Sequence, residues 1–162
     1  MRKVTVVTLA AAATLGATPG LANAAPSDDL VAGSGQGLQN TPFGPLPLHV
    51  NVDARGDTDG ARGHTTEHGQ DGAYIRGEVQ CVNAVGNEAV LLVQIEKSNV
   101  PFVPVGSFFW RKVIDNGEGA GGPPDQTGAF PATFPICPAP AALPIVAHPI
   151  DQGNFVVRDA GS

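Results

Sequence analysis

Four oxygen-bearing side chains in a glycine-rich part of the sequence have the chemistry of a cation site. They are Asp115, Asn116, Glu118 and Asp125, and we call the segment that holds them the acidic loop. Calcium is a hard cation that takes roughly six to eight oxygen ligands, so it is the candidate cofactor here. The spacing differs from the helix–loop–helix calcium pattern, and Asp and Asn beside glycine also form hydrogen-bonded turns. A calcium site and a set of turns therefore both stay open as interpretations.

A second motif, His64-Thr65-Thr66-Glu67-His68, has the spelling of an inverted zinc-protease motif. Zinc binding by this motif requires both imidazoles on one face of a helix, where residues four apart are neighbours. Glycines surround the motif and threonines fill it, which opposes a helix. In an extended strand the two histidines would lie about 13 Å apart and could not share an ion. We therefore predict a polar strand with two exposed histidines.

The serines of the chain lie outside the G-x-S-x-G pattern of hydrolase nucleophiles, and the sequence predicts no catalytic residue. Carboxylate pairs that cleave sugars are recognised by their distance across a cleft and not by sequence spacing. A carboxylate-based or metal-assisted hydrolase that uses the acidic loop therefore remains an alternative. The balance of these observations favours a protein that is not an enzyme.

Residues 1–24 have the pattern of a secretory signal peptide. Arg2 and Lys3 precede a short apolar stretch, and Ala22-Asn23-Ala24 supplies small residues for cleavage, which we expect after Ala24. The apolar stretch is shorter than the roughly 20 residues of a membrane-spanning helix. We expect a secreted, extracellular product without a membrane span.

The two cysteines of the chain are Cys81 and Cys137. In an oxidising extracellular compartment one disulfide is expected more often than two free thiols. The sequence therefore predicts a Cys81–Cys137 bridge.

The charge balance is acidic, with 15 Asp and Glu residues against 9 Lys and Arg residues and a net charge of −6. Removal of the leader would remove two of the basic residues. Proteins that bind nucleic acids neutralise phosphates with clustered Lys and Arg, and such clusters are missing from this sequence. We therefore expect no nucleic-acid partner.

Alternation of apolar and polar residues from Leu48 onward predicts β-strands. Apolar residues on both faces of the segment 89–95 predict a strand that is covered on both sides. The proline-rich stretch 120–149 predicts a long irregular loop, because proline cannot donate to a β-ladder. The predicted strands are 48–54, 61–67, 74–82, 89–95, 108–114 and 155–157. The predicted fold is a single all-β domain over residues 47–160, an antiparallel sandwich or small barrel of about 6–7 strands, preceded by a flexible linker at 25–46.

Short motifs in a fixed order are similar to those of a group of bacterial proteins. They are Gly77-Glu78-Val79-Gln80-Cys81-Val82, Gly86-Asn87-Glu88-Ala89, Asp115-Asn116-Gly117-Glu118-Gly119, Pro123-Pro124-Asp125, a lone Cys137, and Gly153-Asn154-Phe155-Val156-Val157-Arg158-Asp159-Ala160. Over residues 48–160 this set resembles a group of uncharacterised secreted bacterial proteins of the actinobacterial type. The resemblance implies an exported β-rich domain without an assigned activity, and it supplies no catalytic residues.

Three functional hypotheses follow from these observations. The first is a non-catalytic extracellular or cell-envelope module that binds an unknown partner or has a structural role. The second is the hydrolase described above. The third is a carrier of a small molecule, which requires a sheet that closes into a barrel around a cavity.

Overall fold

The computed structural model describes residues 28–41, 44–117, 122–137 and 145–161. These residues form nine β-strands and no helix, so the prediction of an all-β fold is confirmed. No helix suited to crossing a membrane is found within the described ranges. The predicted signal peptide, residues 1–24, lies outside them.

All nine strands belong to one antiparallel sheet. Their bounds are β1 (Asp29–Thr41), β2 (Gly44–Gly56), β3 (Ala61–Gly69), β4 (Tyr74–Val85), β5 (Glu88–Ser98), β6 (Phe108–Ile114), β7 (Gln126–Ala132), β8 (His148–Pro149) and β9 (Gln152–Arg158).

The sheet is a meander whose two ends are brought together by its last connection. Strands β1 to β8 lie side by side in chain order, and β9 pairs with β1 at the far end. Only Ile150 and Asp151 separate β8 from β9 in the chain, and two residues span at most about 10 Å. The sheet must therefore curl, and β1 lies near β7 and β8 while β9 lies near β6. The fold is a curled half-barrel of nine antiparallel strands, where the sequence predicted a sandwich or small barrel of about six or seven.

The segment predicted to be a flexible linker is part of this sheet. Residues 29–41 form β1 and residues 44–46 begin β2, so the linker interpretation is wrong for these residues. Glycines at alternate positions of β1 face the connection between β8 and β9. A Cβ atom on Gly35 would lie 2.7 Å from the side chain of Ile150, so a larger residue there would have to displace Ile150.

The proline-rich stretch also contains strands that the sequence did not predict. Residues 126–132 form β7, and the two-residue β8 follows at His148–Pro149. Pro131 is tolerated in β7 as an exposed residue near its end. The prediction of an irregular loop over all of 120–149 is therefore wrong in these two places.

The core lies inside the curl, and β5 is covered on both of its faces. Its inward residues Leu91 and Val93 are fully buried in the main core. Its outward residue Leu92 packs with Trp110, Cys81 and Ile145 in a second cluster on the outer face. The prediction that β5 is buried on both sides is confirmed.

A bulge in β4 separates the two clusters. The register shifts between Val79 and Cys81, so that Val79 points inward, Cys81 points outward and Val82 points inward again. Strict alternation would place Val79 and Cys81 on the same face, but the bulge adds one residue to β4 and places them on opposite faces.

The predicted Cys81–Cys137 disulfide is present, with a Cα–Cα distance of 6.3 Å. It attaches the segment after β7 to the outer face of β4. Together with Ile145 it covers the second cluster.

Candidate functional site

Three residues of the acidic loop come together in the structure and act as hydrogen-bonding groups. Asp115 and Asn116 follow β6, and Asp125 immediately precedes β7. Asp125 Oδ1 accepts the backbone N–H of Asn116 at 2.7 Å, and Asn116 Nδ2 donates to the carbonyl of Pro124 at 2.7 Å. Asp115 Oδ1 accepts the backbone N–H of Gly117 at 2.8 Å. These bonds form hydrogen-bonded turns, which is the second of the two interpretations of the acidic loop.

The two aspartates also bind the free edge of β9. Phe155 N donates to Asp125 Oδ2 at 2.7 Å, and Val157 N donates to Asp115 Oδ2 at 3.0 Å. An edge strand leaves such N–H groups without a ladder partner, and a buried N–H without a partner is costly. The carboxylates therefore replace a neighbouring strand.

A third carboxylate has a similar role at the start of β1. Asp29 accepts the backbone N–H groups of Ala84 at 2.8 Å and Ala160 at 3.0 Å. It thereby joins the ends of β1, β4 and β9. We call Asp29, Asp115 and Asp125 the closure aspartates.

No metal cluster accompanies these bonds in the part of the chain that the structure describes. Residues 28–41, 44–117, 122–137 and 145–161 contain no group of three or more His, Cys, Asp or Glu side chains that could hold a metal ion. Glu118, the fourth predicted ligand, lies outside these ranges. The calcium site stays a prediction.

The motif from His64 to His68 lies in β3, as predicted, and not in a helix. Both histidines are exposed. His64 Nε2 lies 3.6 Å from Glu96 Oε2, whereas the ring of His68 packs against Tyr74 with 5.0 Å between the ring centroids. Each histidine therefore faces its own neighbour on the outer surface. The glutamate of the motif, Glu67, points to the inside of the sheet and is buried.

A cavity of about 650 Å³ opens at one end of the curled sheet. We call it the end cavity. It lies where β2, β4 and β6 begin and where β3, β5 and β7 end, and the loop between β5 and β6 forms part of its wall. At the opposite end of the sheet the interior is filled by core side chains. The apolar lining of the end cavity includes Leu48, Ile75, Ile95, Phe102, Phe109, Ala129 and Phe130.

Size and lining give the end cavity the character of a small-molecule site. Such sites usually measure about 300–1,000 Å³ and combine an apolar wall with a few polar groups. Large apolar side chains are also exposed where the cavity meets solvent, among them Leu46, Phe102 and Phe130.

The buried charged groups of the end cavity are Glu67 on β3 and Arg111 on β6. Arg111 Nη2 donates to Glu67 Oε1 in an ion pair between opposite walls of the curl. The Arg111 side chain is 1% exposed and that of Glu67 is 10% exposed. A charge buried this deeply requires a partner, because its desolvation alone would cost several kcal/mol.

Two further contacts hold the guanidinium of Arg111. Nη1 donates to Thr127 Oγ1 at 3.0 Å, and Cζ lies 5.5 Å from the centroid of the Phe109 ring. Nε has no hydrogen-bond partner among the described residues. The position of Arg111 is therefore fixed by three strands, and its capacity to donate hydrogen bonds is only partly used.

No motif in the sequence pointed to the Glu67–Arg111 pair. Arg111 lies two residues from both Phe109 and Val113, which are inward residues of β6, so it points to the same face as they do. A charged residue on an apolar strand face was therefore the one sequence feature that could have indicated Arg111. Glu67 was considered only as part of a zinc motif. Nothing in the sequence indicated that the two residues meet, since 44 positions separate them.

Comparison with known proteins gives no match to a family model, a curated protein or a solved structure. The resemblance to secreted actinobacterial-type proteins therefore stays a prediction.

Proposed function

We propose that this domain is a non-catalytic, secreted binding protein that holds a small, largely apolar molecule in the end cavity. The observation that carries the proposal is the contrast between the two ends of the curled sheet. One end is filled by core side chains, whereas the other encloses about 650 Å³ of mainly apolar space. A sheet selected only for stability would be expected to fill that space, because interiors are normally close-packed.

Secretion is supported by the leader pattern of residues 1–24 and by the disulfide, which is typical of oxidising compartments. The hydrogen bonds of Asp115 and Asp125 supply a structural reason for those carboxylates. We therefore do not propose the hydrolase alternative.

Binding of a neutral apolar fluorophore, N-phenylnaphthylamine, tests the proposal. Titration into the native protein is expected to give a saturable rise in fluorescence with one site per chain. Ala129 lies opposite Arg111 on β7 and lines the cavity, so Ala129→Phe places a ring inside it and should weaken binding at least tenfold.

The matched control is Val85→Phe, which adds a ring at an exposed position on the other end of β4. This variant should bind the fluorophore as the unchanged protein does. The proposal is wrong if the native protein shows no saturable binding, or if both variants bind equally well.

A further inference from the structure

The polar end of the cavity limits the chemistry of its occupant, if the proposed function holds. Glu67 and Arg111 carry opposite charges and are directly paired, so the buried pair as a whole is neutral. An ionised ligand group placed beside them would add an uncompensated charge in a buried region, which is costly. The occupant is therefore expected to be neutral where it meets the pair.

The hydrogen-bonding capacity of the pair identifies the kind of polar group. Among the described residues, the side-chain hydrogen bond of Glu67 is the one that Oε1 accepts from Arg111, and Oε2 takes no part in it. An ionised carboxylate has room for several donors. The unused capacity of Glu67 therefore calls for a ligand group with an O–H or N–H.

Arg111 offers the complementary function. Its two terminal nitrogens carry four N–H groups, of which the structure uses one toward Glu67 and one toward Thr127. A ligand oxygen beside the pair is therefore able to accept from Arg111. A hydroxyl group combines both properties, since it donates one hydrogen bond and accepts others.

Negative charge around the cavity also disfavours an anionic occupant. Asp71 also lines it, and its carboxylate accepts the backbone N–H of Ala73 at 3.1 Å. The chain as a whole is acidic, with a net charge of −6. An anionic amphiphile would therefore be repelled on approach as well as at the inner end.

We propose that the end cavity binds a neutral, largely apolar alcohol whose hydroxyl group donates to Glu67 Oε2 and accepts from Arg111. The apolar body of the alcohol lies against the aliphatic and aromatic wall. The hydroxyl replaces its lost water contacts with two charge-assisted hydrogen bonds.

Displacement of bound N-phenylnaphthylamine by three molecules of equal chain length tests this inference. Dodecanol has the hydroxyl, dodecyl methyl ether accepts but does not donate, and dodecanoate is an anion. Dodecanol is expected to displace the fluorophore at a concentration about tenfold lower than either of the others, since a hydrogen bond to a charged group is lost in both. Equal or tighter binding of dodecanoate or the ether would overturn the inference.

Glu67→Gln supplies the second measurement. It leaves the charge of Arg111 uncompensated, so the preference is expected to invert in favour of dodecanoate. If Glu67 had only a structural role, Glu67→Gln would weaken the binding of all three molecules alike, and that outcome would contradict the assignment. The matched control, Glu78→Gln, changes an exposed glutamate on the outside of β4 and should keep the original order.

The two proposals fail in different ways. If the fluorophore does not bind to the native protein, the proposed function is wrong and the inference falls with it. If the fluorophore binds but dodecanol has no advantage over dodecanoate and the ether, only the inference about the alcohol is wrong. The comparison on the unchanged protein does not depend on whether Glu67→Gln folds.

Discussion

Asp125→Asn is expected to destabilise the fold by loosening β9. The Asp125 side chain is buried, and its two oxygens accept the backbone N–H groups of Asn116 and Phe155, each at 2.7 Å. An asparagine at this position keeps one acceptor oxygen but turns an NH₂ group toward the other N–H. One hydrogen bond is lost, and one backbone donor is left buried without a partner.

The expected magnitude follows from these two changes. A hydrogen bond to a charged group contributes roughly 1.5–3 kcal/mol, and an unsatisfied buried donor costs about 1–3 kcal/mol. Part of this loss is offset because a buried carboxylate no longer has to be desolvated. We expect a decrease of about 3 kcal/mol in the free energy of unfolding, which for an m-value of about 2 kcal/mol per molar lowers the urea midpoint by roughly 1.5 M.

Urea unfolding can be followed by the fluorescence of the single tryptophan, Trp110, which is 2% exposed. Asp151→Asn is the matched control, because Asp151 is a neighbouring but exposed aspartate and should change stability by less than about 0.5 kcal/mol. Amide hydrogen exchange locates the effect, with Phe155 N–H expected to exchange faster in Asp125→Asn. Equal midpoints for the two variants, with unchanged exchange at Phe155, would refute the role assigned to the closure aspartates.

The disulfide, the glycines of β1 and the Asp159 carboxylate each lead to a further prediction. Replacement of both Cys81 and Cys137 by serine should cost up to about 4 kcal/mol, the chain-entropy value for the 56-residue separation, and urea midpoints equal to those of the oxidised protein would contradict it. Gly35→Ala should destabilise by about 1–3 kcal/mol through a clash with the β8–β9 connection, whereas Gly60→Ala, where a Cβ meets nothing within 4 Å, should be neutral or slightly stabilising in the same unfolding assay. Two backbone hydrogen bonds lower the pKa of Asp159 in the folded chain. The ionised Asp159 therefore stabilises the fold above its unfolded pKa, and this stabilisation is lost as the pH falls through the lower folded pKa. Asp159→Asn should lose less stability on acidification below about pH 4, and a dependence of stability on pH identical to that of the unchanged protein would contradict this.

Much of the sheet could be predicted from local sequence. The alternation in β2, β4 and β6 indicated strands because side chains of a strand point to opposite faces in turn, and the continuous apolar run of β5 indicated burial on both sides. A glycine inside a strand, such as Gly77, indicates a bulge or a close backbone approach, and the register of β4 shifts next to it. The pairing of Cys81 with Cys137 followed from the cysteine count and the expected compartment.

Other strands could not be predicted because their stability depends on distant partners. β1 is rich in glycine, which has a low intrinsic tendency to form strands, and it becomes a strand because β2 and β9 pair with it on both sides. β7 lies in a proline-rich stretch and is held by its pairing with β6. In both cases the strand depends on pairing with other strands and not on its own local sequence.

The sequence by itself determined the all-β character, most of the central strands and the disulfide, because these depend on residue order over a few positions or on composition. Only the tertiary structure decided that the sheet curls, that Asp115 and Asp125 bind the edge of β9, and that one end holds a cavity. The physical reason is that the curl brings opposite walls together across the interior. Glu67 and Arg111 become partners only through that closure, and no local pattern in the sequence records which residues will face each other across it.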